Sequence, residues 1–171
     1  MAQNTRAIRH DHGQTGGVVR EVTPGMTPKN ILVPIDFSQA SERALDYACS
    51  LATKLGAKVH LVNALGAVLP ELNLTLTDAM FQSLRDGHIA VLQKYADPRR
   101  AIAPIGELLV KDGDARDAIL EAIEQLAIDL VVMGTHGRRG LTRMFLGSVA
   151  EDVSRHSPCP VLLVRAKKSG S

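Results

Sequence analysis

Apolar residues along this chain alternate between two rhythms. Residues 29–36, 58–64, 129–133 and 160–165 are near-continuous apolar runs rich in Val, Ile and Leu. Such runs predict strands buried on both faces of a sheet. Between them the apolar positions recur every three or four residues, the spacing of a helix with one face turned inward. Ser38 is placed to cap a first helix with Ala44, Leu45, Ala48, Leu51, Ala52 and Leu55 on its apolar face, and Gly56 to close it. A second helix is predicted from about 77 to 95, with Met80, Leu84, Val91, Leu92 and Tyr95 inward and Gly87 in its middle. Pro98 ends it. The third strand, 102–110, is the least regular, because Pro104 and Gly106 interrupt it. Asp114 caps a third helix whose inward face is Ala118, Ile119, Ala122, Ile123 and Leu126. A fourth helix over 149–156 stops before Pro158.

Strand and helix alternating in this way predict the α/β class, a parallel sheet with helices on both faces. Residues 1–28 are rich in Gly, Thr, Gln and Pro without an apolar period, and are expected to form a disordered extension. The domain proper is expected over 29–166, with 167–171 a basic, flexible end.

The chemistry gathers between the fourth strand and the fourth helix. Gly134 is followed by two residues, Gly137, nine residues, and then Gly147-Ser148. Glycines at a strand end and a helix start let a ligand approach the backbone, and successive N–H groups there can converge on an anion. The helix start adds unpaired N–H groups and partial positive charge, with the Ser148 hydroxyl as cap or phosphate donor. His136, Arg138, Arg139 and Arg143 lie in the same stretch and could neutralise phosphate charge. Neither Gly-x-x-x-x-Gly-Lys-Ser/Thr nor Gly-x-Gly-x-x-Gly occurs. Asp36, like Gly134, falls at the carboxyl end of a strand, the rim on which open parallel sheets hold ligands. His60 and Asn63, polar residues inside the second strand, are expected to be satisfied internally rather than to act as ligands.

Composition narrows the class further. The 171 residues are 45% hydrophobic and 22% charged, ordinary for one globular domain. The net charge of +2 is uneven: residues 1–30 carry +2 and residues 165–171 carry +3, which leaves −3 between them. The basic character therefore sits at the ends, and no basic stripe with interleaved aromatics offers a nucleic-acid surface. Cys49 and Cys159 lie far apart without metal-type spacing, and are expected to be free thiols in a reducing compartment. No apolar run is long enough to cross a membrane, and the amino terminus has no apolar signal region. The expectation is a cytoplasmic protein without membrane or nucleic-acid partners.

Three stretches carry a resemblance to a known family. Ile31-Leu32-Val33-Pro34-Ile35-Asp36-Phe37-Ser38 followed by Ser41-Glu42-Arg43-Ala44-Leu45, the stretch from Asp129 to Ser148, and Cys159-Pro160-Val161-Leu162-Leu163-Val164 resemble the opening, glycine signature and closing strand of the universal stress protein family, in its nucleotide-binding branch. The resemblance implies a five-stranded parallel sheet in the order 3-2-1-4-5, Rossmann-like and similar to the adenine nucleotide alpha hydrolases. It implies that Asp36 faces the nucleoside with Pro34 and Ile35 beside it, and that Ala64 meets adenine through its backbone. Met133 and Gly134 would line the ribose, and Gly137, Arg138, Gly147, Ser148 and Val149 would hold phosphates. The implied ligand is ATP, or AMP or ADP, with Mg2+. The apolar outermost strand, Val161 to Val164, predicts a homodimer joined along its edge.

The leading function on this reading is a nucleotide-binding regulator of stress adaptation. The alternative is a slow ATP-hydrolysing or nucleotidyl-transferring enzyme, which needs a positioned base and metal-binding carboxylates. The loop supplies His136 and no acid, and Glu151 and Asp152 fall a turn into the helix, so no catalytic residue is assigned.

Overall fold

The computed structural model describes residues 27–66, 78–135 and 146–165. Along the chain run β1 (Asn30–Pro34), α1 (Gln39–Leu55), β2 (Lys58–Ala64), α2 (Asp78–Ala96), β3 (Ile105–Lys111), α3 (Ala115–Gln125), β4 (Leu130–Gly134), α4 (Ser148–His156) and β5 (Val161–Val164). Every strand pair is parallel and the sheet is ordered β3-β2-β1-β4-β5, as the resemblance implies. Successive side chains leave a strand on opposite faces, so each strand feeds two cores. Ile31 and Val33 of β1, and Ile35 just after it, pack with Val59, Leu61 and Val132 beneath α1 and α2. Leu32, Val62, Val131 and Met133 face the other way, beneath α3 and α4.

The helix ends follow their local chemistry. Ser38 Oγ accepts the Ser41 N–H at 3.2 Å, and Gly56 takes φ 63° while its N–H returns to the Ala52 carbonyl. Asp114 accepts the Arg116 N–H at 2.8 Å at the start of α3. Between these ends, Ala44, Leu45, Ala48 and Ala52 of α1 are buried, as are Ala118, Ile119, Ala122 and Ile123 of α3.

Two expectations need correction. Met80 and Leu84, expected inward, are 51% and 45% exposed. The seating of α2 comes instead from Leu92 and Ala96, fully buried, with Ile89 and Tyr95 packed against the same core. Met80 and Leu84 share a stripe one step round the helix from that face, and spacing alone does not fix how a helix is rolled. The Arg99 guanidinium moors the end of α2 to α1: Nε donates to Asp46 at 2.7 Å and Nη1 to the Tyr95 carbonyl at 2.8 Å. Arg85 pairs with Asp112, just past β3.

The second correction concerns β3, which starts at Ile105 rather than 102, because a 3-10 turn at Asp97–Arg99 and the turn after it take up the preceding residues. Its register with β2 shifts between Val59 and Leu61, so that Gly106 and Glu107 both stand opposite His60. The imidazole of His60 fills this bulge. Its Nδ1 accepts the Glu107 N–H at 3.0 Å, which leaves Nε2 to donate to Asn30 Oδ1 at 3.3 Å. His60 is 6% exposed and satisfied from within, as its place inside a strand predicts.

Candidate functional site

β1 and β4 are neighbours, yet the chain leaves β1 toward β2 and leaves β4 toward β5. The carboxyl ends of β1 and β4 therefore flank the switch point, where the departing loops diverge and open a crevice. Asp36 and Phe37 follow β1, Ala64 ends β2, Gly134 ends β4, and α4 starts at Ser148. The sequence-predicted residues Asp36, Ala64, Gly134 and Gly147 thus come together on one rim.

Asp36 is tied to the turn into α1. Its Oδ1 accepts the Ser38 N–H at 3.1 Å and the Ser38 hydroxyl at 2.6 Å, and Ser38 in turn caps the helix. Phe37 takes φ 63°, a left-handed conformation that costs a residue with a Cβ about 1–2 kcal/mol. Its ring is held on α2, with centroids 5.7 Å from both His88 and Tyr95. Beside it lies a buried polar relay: Asn63 Nδ2 donates to the Ile35 carbonyl at 2.7 Å, and Asn63 Oδ1 lies 2.6 Å from His88 Nδ1. Nothing in the sequence singled out His88, since its partner is 25 residues away.

Gly134 is glycine for a packing reason. A Cβ there would lie 3.0 Å from the Ala40 backbone carbon and 3.1 Å from its oxygen, in the first turn of α1. Beyond it, the Thr135 N–H donates to the Val164 carbonyl at 3.1 Å, and the Thr135 carbonyl accepts the Gly147 N–H at 2.8 Å. This last bond fastens the start of α4 to the end of β4. It also corrects one expectation: the Gly147 N–H, at a backbone φ of −63°, is engaged by the protein rather than offered to an anion. Nor does Ser148 cap α4. Gly147 is the cap residue, without a side-chain bond, and Ser148 is the exposed first residue of the helix. The N–H groups of Ser148, Val149 and Ala150 have no acceptor within the helix.

Met133 is 5% exposed and packs into the core under α3 and α4, while Pro34 and Val149 are half-buried at the rim. Gly137 and Arg138, with His136, Arg139 and Arg143, lie outside the described residues. Burial raises the Cys49 thiol above its ordinary 9.0, with nearby Arg99 opposing. Burial, aided by the charge of Lys58, lowers His60 below its ordinary 6.5. Cys49 sits on the buried face of α1 and His60 at the bulge, both away from the rim. Among the described residues no group of three His, Cys, Asp or Glu could hold a metal ion. No helix among them is long and apolar enough to cross a membrane.

Fold and rim together define a doubly wound α/β protein with an acid, a strand-end amide and an uncapped helix start around its switch point. The profile of the universal stress protein family matches residues 27–165, and the chain belongs to that family. It is 31% identical over 143 residues to Universal stress protein MJ0531 of Methanocaldococcus jannaschii, covering 82% of this chain and 84% of that one. Among solved structures it is similar to hypothetical protein MJ0577, with a TM-score of 0.71, 25% identity, and 84% and 100% of the two chains covered. A universal stress protein solved in complex with cAMP aligns with a TM-score of 0.60 and 26% identity, over 83% of this chain and 100% of that one.

Proposed function

We propose that this chain is an adenine-nucleotide-binding regulator that holds ATP, AMP or ADP on the carboxyl rim of its sheet and turns it over slowly if at all. One observation carries the reading. The first turn of α4 presents the Ser148, Val149 and Ala150 N–H groups without intrahelical acceptors, beside an uncapped glycine at the switch point. An anion placed there meets donors that have no acceptor within the helix, and the positive end of the helix dipole. The cAMP complex of a relative supports an adenine nucleotide as the ligand class.

In this arrangement the phosphates lie at α4, with Gly137 and Arg138 completing their cradle and the backbone of Met133 and Gly134 running along the ribose. Asp36, which Ser38 holds at the end of β1, accepts from the ribose. The backbone of Ala64 meets the base. Mg2+ travels on phosphate oxygens and water, which needs few protein ligands. Binding is proposed over hydrolysis or nucleotidyl transfer because the acids nearest the phosphates offer no placed base. Glu151 is held by Arg155 at 2.7 Å, and Asp152 is exposed.

The proposed assembly is a cytoplasmic homodimer paired along β5. The Val131 N–H donates to the Pro160 carbonyl and the Thr135 N–H to the Val164 carbonyl, so Leu162 and Val164 turn their polar groups toward β4. Those of Val161 and Leu163 face the open edge, available to a second copy.

Titration calorimetry with ATP and AMP, on wild type and Gly147→Val, tests the nucleotide reading. Wild type should saturate. The variant has no backbone strain at φ −63°, so its weaker binding should come from side-chain bulk in the phosphate space. No saturable heat from wild type at about millimolar ATP, or equal affinity in a folded variant, ends the hypothesis. Brisk phosphate release by wild type moves the protein to the enzyme class.

A further inference from the structure

The ladder between β1 and β2 stops one bond early. The Ile35 N–H donates to the Val62 carbonyl at 2.8 Å, and in a parallel pair the next bond runs from the Ala64 N–H to the Ile35 carbonyl. Among the described residues that bond is not made. The Ile35 carbonyl accepts instead from the side chain of Asn63, at 2.7 Å. On the other side of β2 the Leu65 N–H donates to the Lys111 carbonyl, which fixes the alternation: Ala64 turns its N–H away from β3 and toward β1. The carboxamide of Asn63 meets the Ile35 carbonyl where the Ala64 N–H would, and among the described residues that N–H has no acceptor.

His88 sets which way the carboxamide faces. Nδ2 meets a carbonyl, which can only accept, so Oδ1 is the atom 2.6 Å from the imidazole, and Nδ1 must carry a proton. Turning the amide over would set oxygen against oxygen and N–H against N–H in a site only 4% exposed. His88 is itself held by the Phe37 ring and lies between the two anchors of α2, Arg85 on Asp112 and Arg99 on Asp46.

We propose that His88 and Asn63 are positioning residues for base selection: they occupy the Ile35 carbonyl and so reserve the Ala64 N–H for an acceptor nitrogen on the edge of the base. Adenine offers such an acceptor at N1. Guanine and hypoxanthine carry a hydrogen there and would set donor against donor. The inference rests on the nucleotide reading above and adds to it the residues that choose the base.

The test is titration of the full chain with ATP and with inosine triphosphate. Wild type should prefer ATP. His88→Leu removes the donor that orients the carboxamide, and should lower the ATP-to-inosine preference about three- to tenfold, the range of one hydrogen bond. His88→Asn places a donor nitrogen at the same bond distance as Nδ1 and should keep the preference, whereas a purely packing role would suffer in both variants. An unchanged preference in folded His88→Leu overturns the proposal while leaving nucleotide binding intact. Wild type that binds neither nucleotide overturns both readings. A second measurement needs no variant: the wild-type Ala64 amide proton resonance should move with ATP and stay in place with inorganic tripolyphosphate. A resonance indifferent to ATP in protein that binds it also overturns the assignment.

Discussion

The bulge at His60 allows a quantitative test of how the amino-terminal end of the sheet is built. Removing the imidazole by His60→Ala leaves the Glu107 N–H and Asn30 Oδ1 without their partner. An unsatisfied, partly buried polar group costs about 1–3 kcal/mol, and some entering water will offset it, so a loss of about 2–3 kcal/mol is expected. Gly106→Ala attacks the same place from the other side. The new Cβ would lie 2.5 Å from His60 Cε1, 2.7 Å from Nδ1 and 2.9 Å from Lys58 Cδ. The lysine stem can move, but the ring is held by two bonds, so this substitution should cost about 1–3 kcal/mol by overpacking. In the double variant the ring is gone and the methyl group fits the space it left. The two costs should therefore fall short of additive by about 1–2 kcal/mol. Urea unfolding of the four proteins measures this directly. Thermal melts should agree, at about 2–4 °C per kcal/mol. The same cycle has a pH signature. His60 is held neutral in the fold, below its ordinary 6.5, so its stabilisation is full above 6.5 and is lost as pH falls from there through the folded value. The stability gap between wild type and His60→Ala should shrink over that window. Additivity within about 0.5 kcal/mol would refute the claim that the ring and the glycine are matched.

Two other substitutions probe the remaining edges of the fold. Leu163→Pro removes an N–H that faces the open edge of β5 and no bond to β4, so the protein should stay folded and become monomeric by light scattering; a clean dimer would exclude this interface. Gly134→Val should push the first turn of α1 off the end of β4, lowering the melting temperature by several degrees and ATP affinity about tenfold, and an unshifted melt would show that the close approach to Ala40 is not needed.

Much of this architecture is legible because its causes are local. Ser38, Gly56 and Asp114 mark helix ends through bonds to residues at most four positions away, and each does so as its type predicts. The parallel sheet follows from the alternation of elements, and its strand order came from family resemblance rather than spacing. Where causes lie far along the chain the sequence is mute. Gly106 looked like an interruption of β3, and its reason is the ring of His60 on the neighbouring strand. Gly134 looked like ligand chemistry, and the described contact is with Ala40. Met80 and Leu84 were placed inward by their spacing, but helical periodicity gives the angle between residues and not the roll of the helix against its sheet. The rim was located through Asp36, Gly134 and Gly147. The relay behind it was not, because Asn63 and His88 look like isolated polar residues until α2 is laid across the end of β2.

The two ends of the sheet treat their polar groups in opposite ways, and that contrast says most about where function lies. At the amino end, Asp129 accepts the N–H groups of both Lys29 and Asn30 at 2.9 Å, and its own N–H donates to the Asn30 carbonyl. His60 then takes up the one N–H that the bulge leaves over. Backbone donors there are consumed by side chains of the fold itself, which is how a sheet end is closed. At the carboxyl end the side chains do the reverse. Asn63 takes an acceptor from the backbone, the Ala64 N–H meets no acceptor among the described residues, and Gly147 gives α4 no capping side chain. Leaving a partly buried donor unpaired costs about 1–3 kcal/mol if nothing enters to satisfy it. Among the described residues, donors are taken up at one end and left open at the other, and a ligand that supplies acceptors at the open end would stabilise it. Substitutions at Asp129 or His60 should therefore appear in unfolding experiments with ligand affinity unchanged, and substitutions at Asn63 or His88 should appear first in ligand affinity and base preference.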